Sequence, residues 1–161
     1  MTNLRKPISI LFVCMGNICR SPTAEAVFRR KILAIYPDYQ GLIDSAGLQG
    51  YHIGDPPDHR TVRIAQENGT SMAGLFARKF VQADFERFDH IITMDRGHYN
   101  ALKNRALAPY LGRIHLFLDF HPNFKGQDVP DPYYGGISDF RNVYGLIDQG
   151  VDALIEALIK E

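Results

Sequence analysis

Five residues lie between Cys14 and Arg20, and Ser21 and Pro22 follow directly: Cys14-Met15-Gly16-Asn17-Ile18-Cys19-Arg20-Ser21-Pro22. Five residues between a thiol and a guanidinium can wrap into a ring whose backbone N–H groups converge on an anion. Gly16 and Asn17 are the residue types that tolerate the left-handed backbone angles such a ring demands. Ser21 as cap and Pro22 at the first helical position predict a helix start whose positive end faces the ring. These surroundings favour the thiolate of Cys14, which is the nucleophilic form. Arg20 offers a planar fork that holds two phosphoryl oxygens at once, which lysine cannot copy. Ser21 can hydrogen-bond the Cys14 sulfur, both as it attacks and as it leaves. The chemistry implied is phosphoryl transfer, with the anion held by Met15, Gly16, Asn17, Ile18, Cys19, Arg20 and Ser21. Positioning and electrostatics carry such chemistry, so no metal and no cofactor is required.

A thiolate attack on a phosphate ester expels an alkoxide or phenolate, which an acid in place should protonate. Asp131 is the candidate, in Val129-Pro130-Asp131-Pro132-Tyr133-Tyr134-Gly135-Gly136. The flanking prolines stiffen the backbone and the glycines end the turn. Tyr133 and Tyr134 can wall a slot for an aromatic leaving group.

These loops need a scaffold. Ile8-Ser9-Ile10-Leu11-Phe12-Val13 is a continuous apolar run, as in a strand buried on both faces. Pro22 to about Tyr36 carries apolar residues at helical spacing. Leu42–Ala46 predicts a short strand ending at Gly47, and Pro56-Pro57 open a helix running to Asn68, with Gly69 as its stop. Asp89–Met94 and Arg113–Leu118 predict two more strands with a helix over Asp95–Asn104 between them. Gln82–Phe88 reads as a solvated helical turn. Phe140, Val143, Tyr144, Ile147, Val151, Leu154, Ile155 and Leu158 form the stripe of a final helix. Strands alternating with helices predict an α/β three-layer sandwich, with helices on both faces of a four-stranded parallel sheet. Ligands of such sheets sit at the carboxyl ends of the strands, where Cys14 would be.

The 161 residues fit one domain, over 1–161. Eighteen basic and eighteen acidic residues cancel, which argues against a general nucleic-acid or anionic-membrane binder. Met1–Pro7 is short and polar and no apolar run is long enough to span a bilayer, so a cytoplasmic protein is expected. Cys14 and Cys19 are its only cysteines, which fits reactive thiols in a reducing compartment better than a disulfide framework. The six histidines have no metal-ligand spacing; most should lie on the surface or in loops, with His90 and His115 at sheet edges.

The loop at Cys14 and the segment at Asp131 together resemble the low molecular weight protein tyrosine phosphatase family. The resemblance extends through Asp44-Ser45-Ala46-Gly47, Gly50–Asp58, Phe88–Asp95 and the terminal helix, nearly the whole chain. It implies the sheet order 2-1-3-4 and hydrolysis of phosphotyrosine and aryl phosphates through a phosphocysteine on Cys14. Arg20 would bind the phosphoryl group, and Asp131 would protonate the leaving phenol and then activate water. Asn17, Ser21 and Ser45 would form a network holding the loop. Ile18, Tyr51, Tyr133 and Tyr134 would line the substrate slot. Cys19 would be able to form a reversible disulfide with Cys14, protecting it from irreversible oxidation. Partners would be tyrosine-phosphorylated proteins, with phosphate and other oxyanions as inhibitors, and a monomer is expected. One departure is visible: the family usually has a histidine near Gly74 or Leu75. Its absence should leave the chemistry intact while altering loop stability or the sulfur's ionisation slightly.

Other readings compete. An arsenate reductase needs further cysteines for its relay. A protein-arginine phosphatase resembles a relative with threonine where Ile18 stands and with a less aromatic acid loop. A phosphocysteine carrier of a sugar phosphotransferase system needs its phosphocysteine to survive in water, against which Arg20 and Asp131 argue. An inactive phosphate-binding module would not need both nucleophile and acid.

Overall fold

The structure is a computed structural model that describes residues 7–160; Met1–Lys6 of the polar N-terminal segment lie outside the described residues. Strand β1 is Ile10–Cys14, followed by helix α1 Arg20–Ile35 and strand β2 Ile43–Gly47. Helices α2 His59–Glu67 and α3 Asp84–Arg87 precede strand β3 His90–Thr93 and helix α4 Arg96–Arg105. Strand β4 Ile114–Leu116 lies between two 3₁₀ turns, and helix α5 Ile137–Leu158 completes the order.

The four strands make one parallel sheet in the order β2-β1-β3-β4. Every residue of β1 is buried because helices cover both faces of the sheet. Alternation along the strand sorts its side chains. Ile10, Phe12 and Cys14 join the core under α1 and α5, where Phe28, Ile147 and Leu154 pack. Leu11 and Val13 join the core on the other face with Phe85, Phe88 and Leu102. Burying a side chain such as Phe12 or Leu11 is worth about 1.5–3 kcal/mol, so both layers hold β1 centrally. Of the predicted α5 stripe, the residues from Phe140 to Ile155 are buried and Leu158 is partly so.

Several boundaries differ from the sequence reading, each for a local reason. Helix α1 begins at Arg20, so Cys19 holds the cap position and Ser21 lies inside the first turn. Pro22 is tolerated at the third helical position because no intrahelical bond is required of that nitrogen. Helix α2 begins at His59, not at Pro56-Pro57, because the Asp58 side chain accepts from the Arg60 amide and caps it there. Gly69, with φ of +75°, does end that helix region. Strand β4 stops at Leu116, where Phe117–Phe120 coil into a 3₁₀ turn.

The segment Gln82–Phe88 is a helical turn but not a solvated one. Asp84 and Phe85 are fully buried. The Asp84 carboxylate accepts from Arg78 Nη1 at 3.0 Å, from Nη2 at 3.1 Å and from the Val81 amide. The histidines need a similar correction. His98 is buried; His115 lies on edge strand β4, and His90 opens the internal strand β3. His90 Nδ1 and His115 Nε2 lie 3.0 Å apart, part-buried.

Candidate active site at the carboxyl end of the first strand

Cys14 is the last residue of β1, paired with Gly47 of β2. The chain from Met15 to Cys19 then folds into the loop that leads into α1. Asn17 has φ of +59°, the left-handed conformation expected of the ring, whereas Gly16 does not have a positive φ. Gly47 is the glycine that the ring needs. A Cβ there would lie 2.8 Å from the Met15 carbonyl oxygen, so only glycine lets β2 pass this close. Backbone bonds pin the loop from outside: Leu48 N to Cys14 O and Gln49 N to Met15 O at 3.0 Å, and Asp58 N to Ile18 O at 2.9 Å.

Inside, side chains continue the scaffold. Asn17 Nδ2 donates to Ser21 Oγ at 2.8 Å and to Ser45 Oγ at 2.9 Å, and Asn17 Oδ1 accepts from the Arg78 amide at 3.0 Å. The Ser21 hydroxyl lies 3.0 Å from Cys14 Sγ. Having an amide donor on its oxygen leaves its own proton free for the sulfur, so the arrangement suits a thiolate acceptor. Ser21 therefore serves the loop instead of capping the helix. Ser45 Oγ donates onward to Glu25 Oε1 at 2.7 Å. Burial pushes the Glu25 carboxyl above its ordinary range, against the hydrogen bonds from Ser45 and Arg29.

Arg20 is almost wholly buried and is aimed by its partners. Its Nη1 donates to Asp95 Oδ2 at 2.8 Å and to the Val129 carbonyl at 2.9 Å. Its Nη2 lies 3.7 Å from Asp131 Oδ2. Burial alone would raise the Asp95 carboxyl; the His98 backbone N–H, the His98 ring and Arg20 outweigh it and hold it below the usual range. The Cys19 thiol, buried beside the loop, is pushed up to about 12 by that burial and by the nearby acidic groups, against a hydrogen bond from Thr61.

These groups surround an open cavity of about 300 Å³. Cys14, Met15, Gly16, Ile18, Cys19 and Arg20 form its floor. Tyr51, His52, Asp131, Tyr133 and Tyr134 form its walls. The floor holds a sulfur and a guanidinium, and an acid stands on the wall with aromatic rings beside it.

Comparison with known proteins settles the kinship. The family model described as low molecular weight phosphotyrosine protein phosphatase matches residues 9–161. The chain belongs to this family. The low molecular weight protein-tyrosine-phosphatase YfkJ of Bacillus subtilis is 43% identical over 156 residues, 96% of this chain and 97% of that one. A protein tyrosine phosphatase of Entamoeba histolytica, solved with Hepes in its active site, superposes with a TM-score of 0.89 at 37% identity, covering 94% of this chain and 96% of that one. Vibrio vulnificus Wzb in complex with benzylphosphonate superposes with a TM-score of 0.81 at 32% identity, covering 95% and 100%.

Within this low molecular weight phosphatase, the residues singled out from sequence come together. Cys14, Met15, Gly16, Ile18, Cys19, Arg20, Tyr51, Asp131, Tyr133 and Tyr134 all line the cavity; Asn17 and Ser21 do not, but are joined with Ser45 by hydrogen bonds, and Ser21 touches the Cys14 sulfur. Tyr134 is 94% exposed, so only part of it faces the slot. In the segment around Gly74 and Leu75, Gly74 has φ of +80°, and the Arg78 amide a few residues on donates to Asn17 Oδ1. Sequence reasoning missed His52, Glu25 and Asp95. Asp95 follows β3 at the same carboxyl edge as Cys14, where a parallel sheet collects ligand-binding groups, so that rule could have found it. Glu25 is one helical turn beyond Ser21 on α1, a spacing that puts both on one face.

Proposed function

We propose that this chain is a protein-tyrosine phosphatase that hydrolyses phosphotyrosine and aryl phosphates through a phosphocysteine intermediate. The observation that carries the reading is the Cys14–Ser21 contact at the floor of a cavity whose wall holds Asp131. The phosphoryl oxygens rest on the loop amides, the first turn of α1 and the free edge of the Arg20 fork. Cys14 attacks phosphorus; the P–O bond to the phenol breaks, and Asp131 gives the departing oxygen its proton. Asp131, now a carboxylate, takes a proton from water as that water attacks the phosphocysteine. Phosphate and the Cys14 thiolate are the products, with Ser21 bonding the sulfur as it leaves. Ile18, Tyr51 and Tyr133 flank the ring of the substrate, which favours an aromatic over a guanidino leaving group.

The test compares turnover of a phosphotyrosine peptide, p-nitrophenyl phosphate and phosphoarginine by the wild type and Cys14→Ser. Wild type should turn over the first two and discriminate against the third, with phosphate and vanadate inhibiting competitively. Cys14→Ser should be inactive while still binding vanadate. Substantial activity in Cys14→Ser, or a preference for phosphoarginine, would overturn the assignment.

A further inference from the structure

Arg60 has no place in the cavity wall, yet it joins the two loops that carry the chemistry. It is the second residue of α2, directly after the capping Asp58 and His59. Its guanidinium forks onto Asp58, with Nε 3.1 Å from Oδ1 and Nη2 3.0 Å from Oδ2. Asp58 in turn donates its backbone N–H to the carbonyl of Ile18 in the phosphate loop at 2.9 Å. The far side of the guanidinium faces the acid loop: Nη2 donates to the Tyr133 carbonyl at 3.0 Å and Nη1 to that of Gly135 at 3.4 Å. The same group lies over the Phe140 ring at 4.4 Å and 5.7 Å from the Tyr133 ring.

Beyond Val129, whose N–H donates to the Met94 carbonyl and whose carbonyl accepts from Arg20, the acid loop has few other ways to be held. Pro130 and Pro132 have no N–H to donate. The Asp131 side chain is 49% exposed, and its Oδ1 accepts from the Tyr133 amide at 3.0 Å. The peptide units flanking Tyr133 therefore face two ways, with its N–H on the Asp131 carboxylate and its carbonyl on Arg60. Fixing that carbonyl fixes the turn in which the carboxylate sits. Lysine has a single charged point and no fork, so it cannot hold Asp58, Tyr133 and Gly135 together.

We propose that Arg60 is a positioning residue for the acid: through Asp58 and Tyr133 it holds the Asp131 loop in register with the phosphate loop. This rests on the reading of Asp131 as proton donor. The test measures kcat/KM for aryl phosphates from p-nitrophenyl phosphate, whose phenolate leaves unaided, to phenyl phosphate, whose phenolate needs a proton. The variants are Arg60→Ala and Arg60→Lys, each alone and combined with Asp131→Ala. Inhibition by inorganic phosphate is measured alongside, since it reports the phosphate loop and Arg20 independently of the acid.

Arg60→Ala should lose about tenfold or more on phenyl phosphate, a good part of what a general acid contributes, and much less on p-nitrophenyl phosphate. Arg60→Lys should show the same leaving-group pattern with a smaller loss. In the Asp131→Ala background either change should cost no more than about twofold, because coupled residues are not additive. Phosphate inhibition should be unchanged. Equal losses across the series, full additivity with Asp131→Ala, or weakened phosphate inhibition would overturn the proposal. If Asp131→Ala itself lacks leaving-group dependence, the acid assignment falls first; if only Arg60→Ala lacks it, the positioning role falls alone.

Discussion

Ser21 Oγ lies 3.0 Å from Cys14 Sγ, and both atoms belong to buried residues. A hydroxyl held there by Asn17 stabilises negative charge on sulfur, which matters most when the thiolate is expelled from phosphocysteine. Ser21→Ala should therefore slow breakdown of the intermediate more than its formation. A hydrogen bond to a charged group is worth about 1.5–3 kcal/mol, so kcat should fall by about 10- to 100-fold. In pre-steady-state traces with p-nitrophenyl phosphate, the burst should persist while the steady state slows. A lost burst at unchanged steady-state rate would assign Ser21 to the attack step instead.

The two cysteines should differ in reactivity although only four residues separate them. Burial pushes the Cys19 thiol to about 12, so it stays protonated near neutral pH. Cys14 sits at the cavity floor with Ser21 and the start of α1 around it. Iodoacetate should label Cys14 and spare Cys19, and inorganic phosphate should protect. Peptide mass mapping reads the result; labelling of Cys19 ahead of Cys14 would contradict it.

Histidine burial sets an acid limit on stability. Burial, with His90 and Lys103 nearby, lowers His115 to about 4, against the pull of Asp119. His98 is lowered to about 4, again chiefly by burial, with Arg20 adding to it and Asp95, Asp131 and Asp128 opposing. An unfolded histidine takes its proton near pH 6.5, so between about pH 6.5 and about pH 4 the unfolded chain binds more protons. Stability from these groups is full above that window and lost as pH falls through it. Glu25, held above its ordinary range, works in the opposite direction. The comparison of wild type with His115→Gln isolates one histidine: urea midpoints should fall less steeply with acid in the variant. Parallel slopes would show that His115 does not titrate differently on folding.

Much of the fold was legible because a parallel strand covered on both faces must be apolar throughout, as Ile10–Val13 is. The core of the candidate site was legible because Cys14, Arg20 and Ser21 are close in sequence and Asp131 carries its own turn chemistry. Groups joined only by tertiary contact were not. Asp84 looked solvated because its partner Arg78 lies on a separate loop, six residues earlier. Ser21-Pro22 carries a cap signature, but the hydroxyl is engaged by Cys14 and Asn17, and the helix starts two residues sooner, at Arg20. Arg60 and Tyr133 are 73 residues apart, and nothing in local pattern pairs them.

The central claim is a covalent phosphate on Cys14, and acid quenching during turnover of a phosphotyrosine peptide tests it most directly. Mass spectrometry of the quenched enzyme should find one phosphate on the peptide containing Cys14 in the wild type and none in Cys14→Ser, which should also fail to release phosphate. Phosphate on another residue, or continued release by Cys14→Ser, would contradict the account.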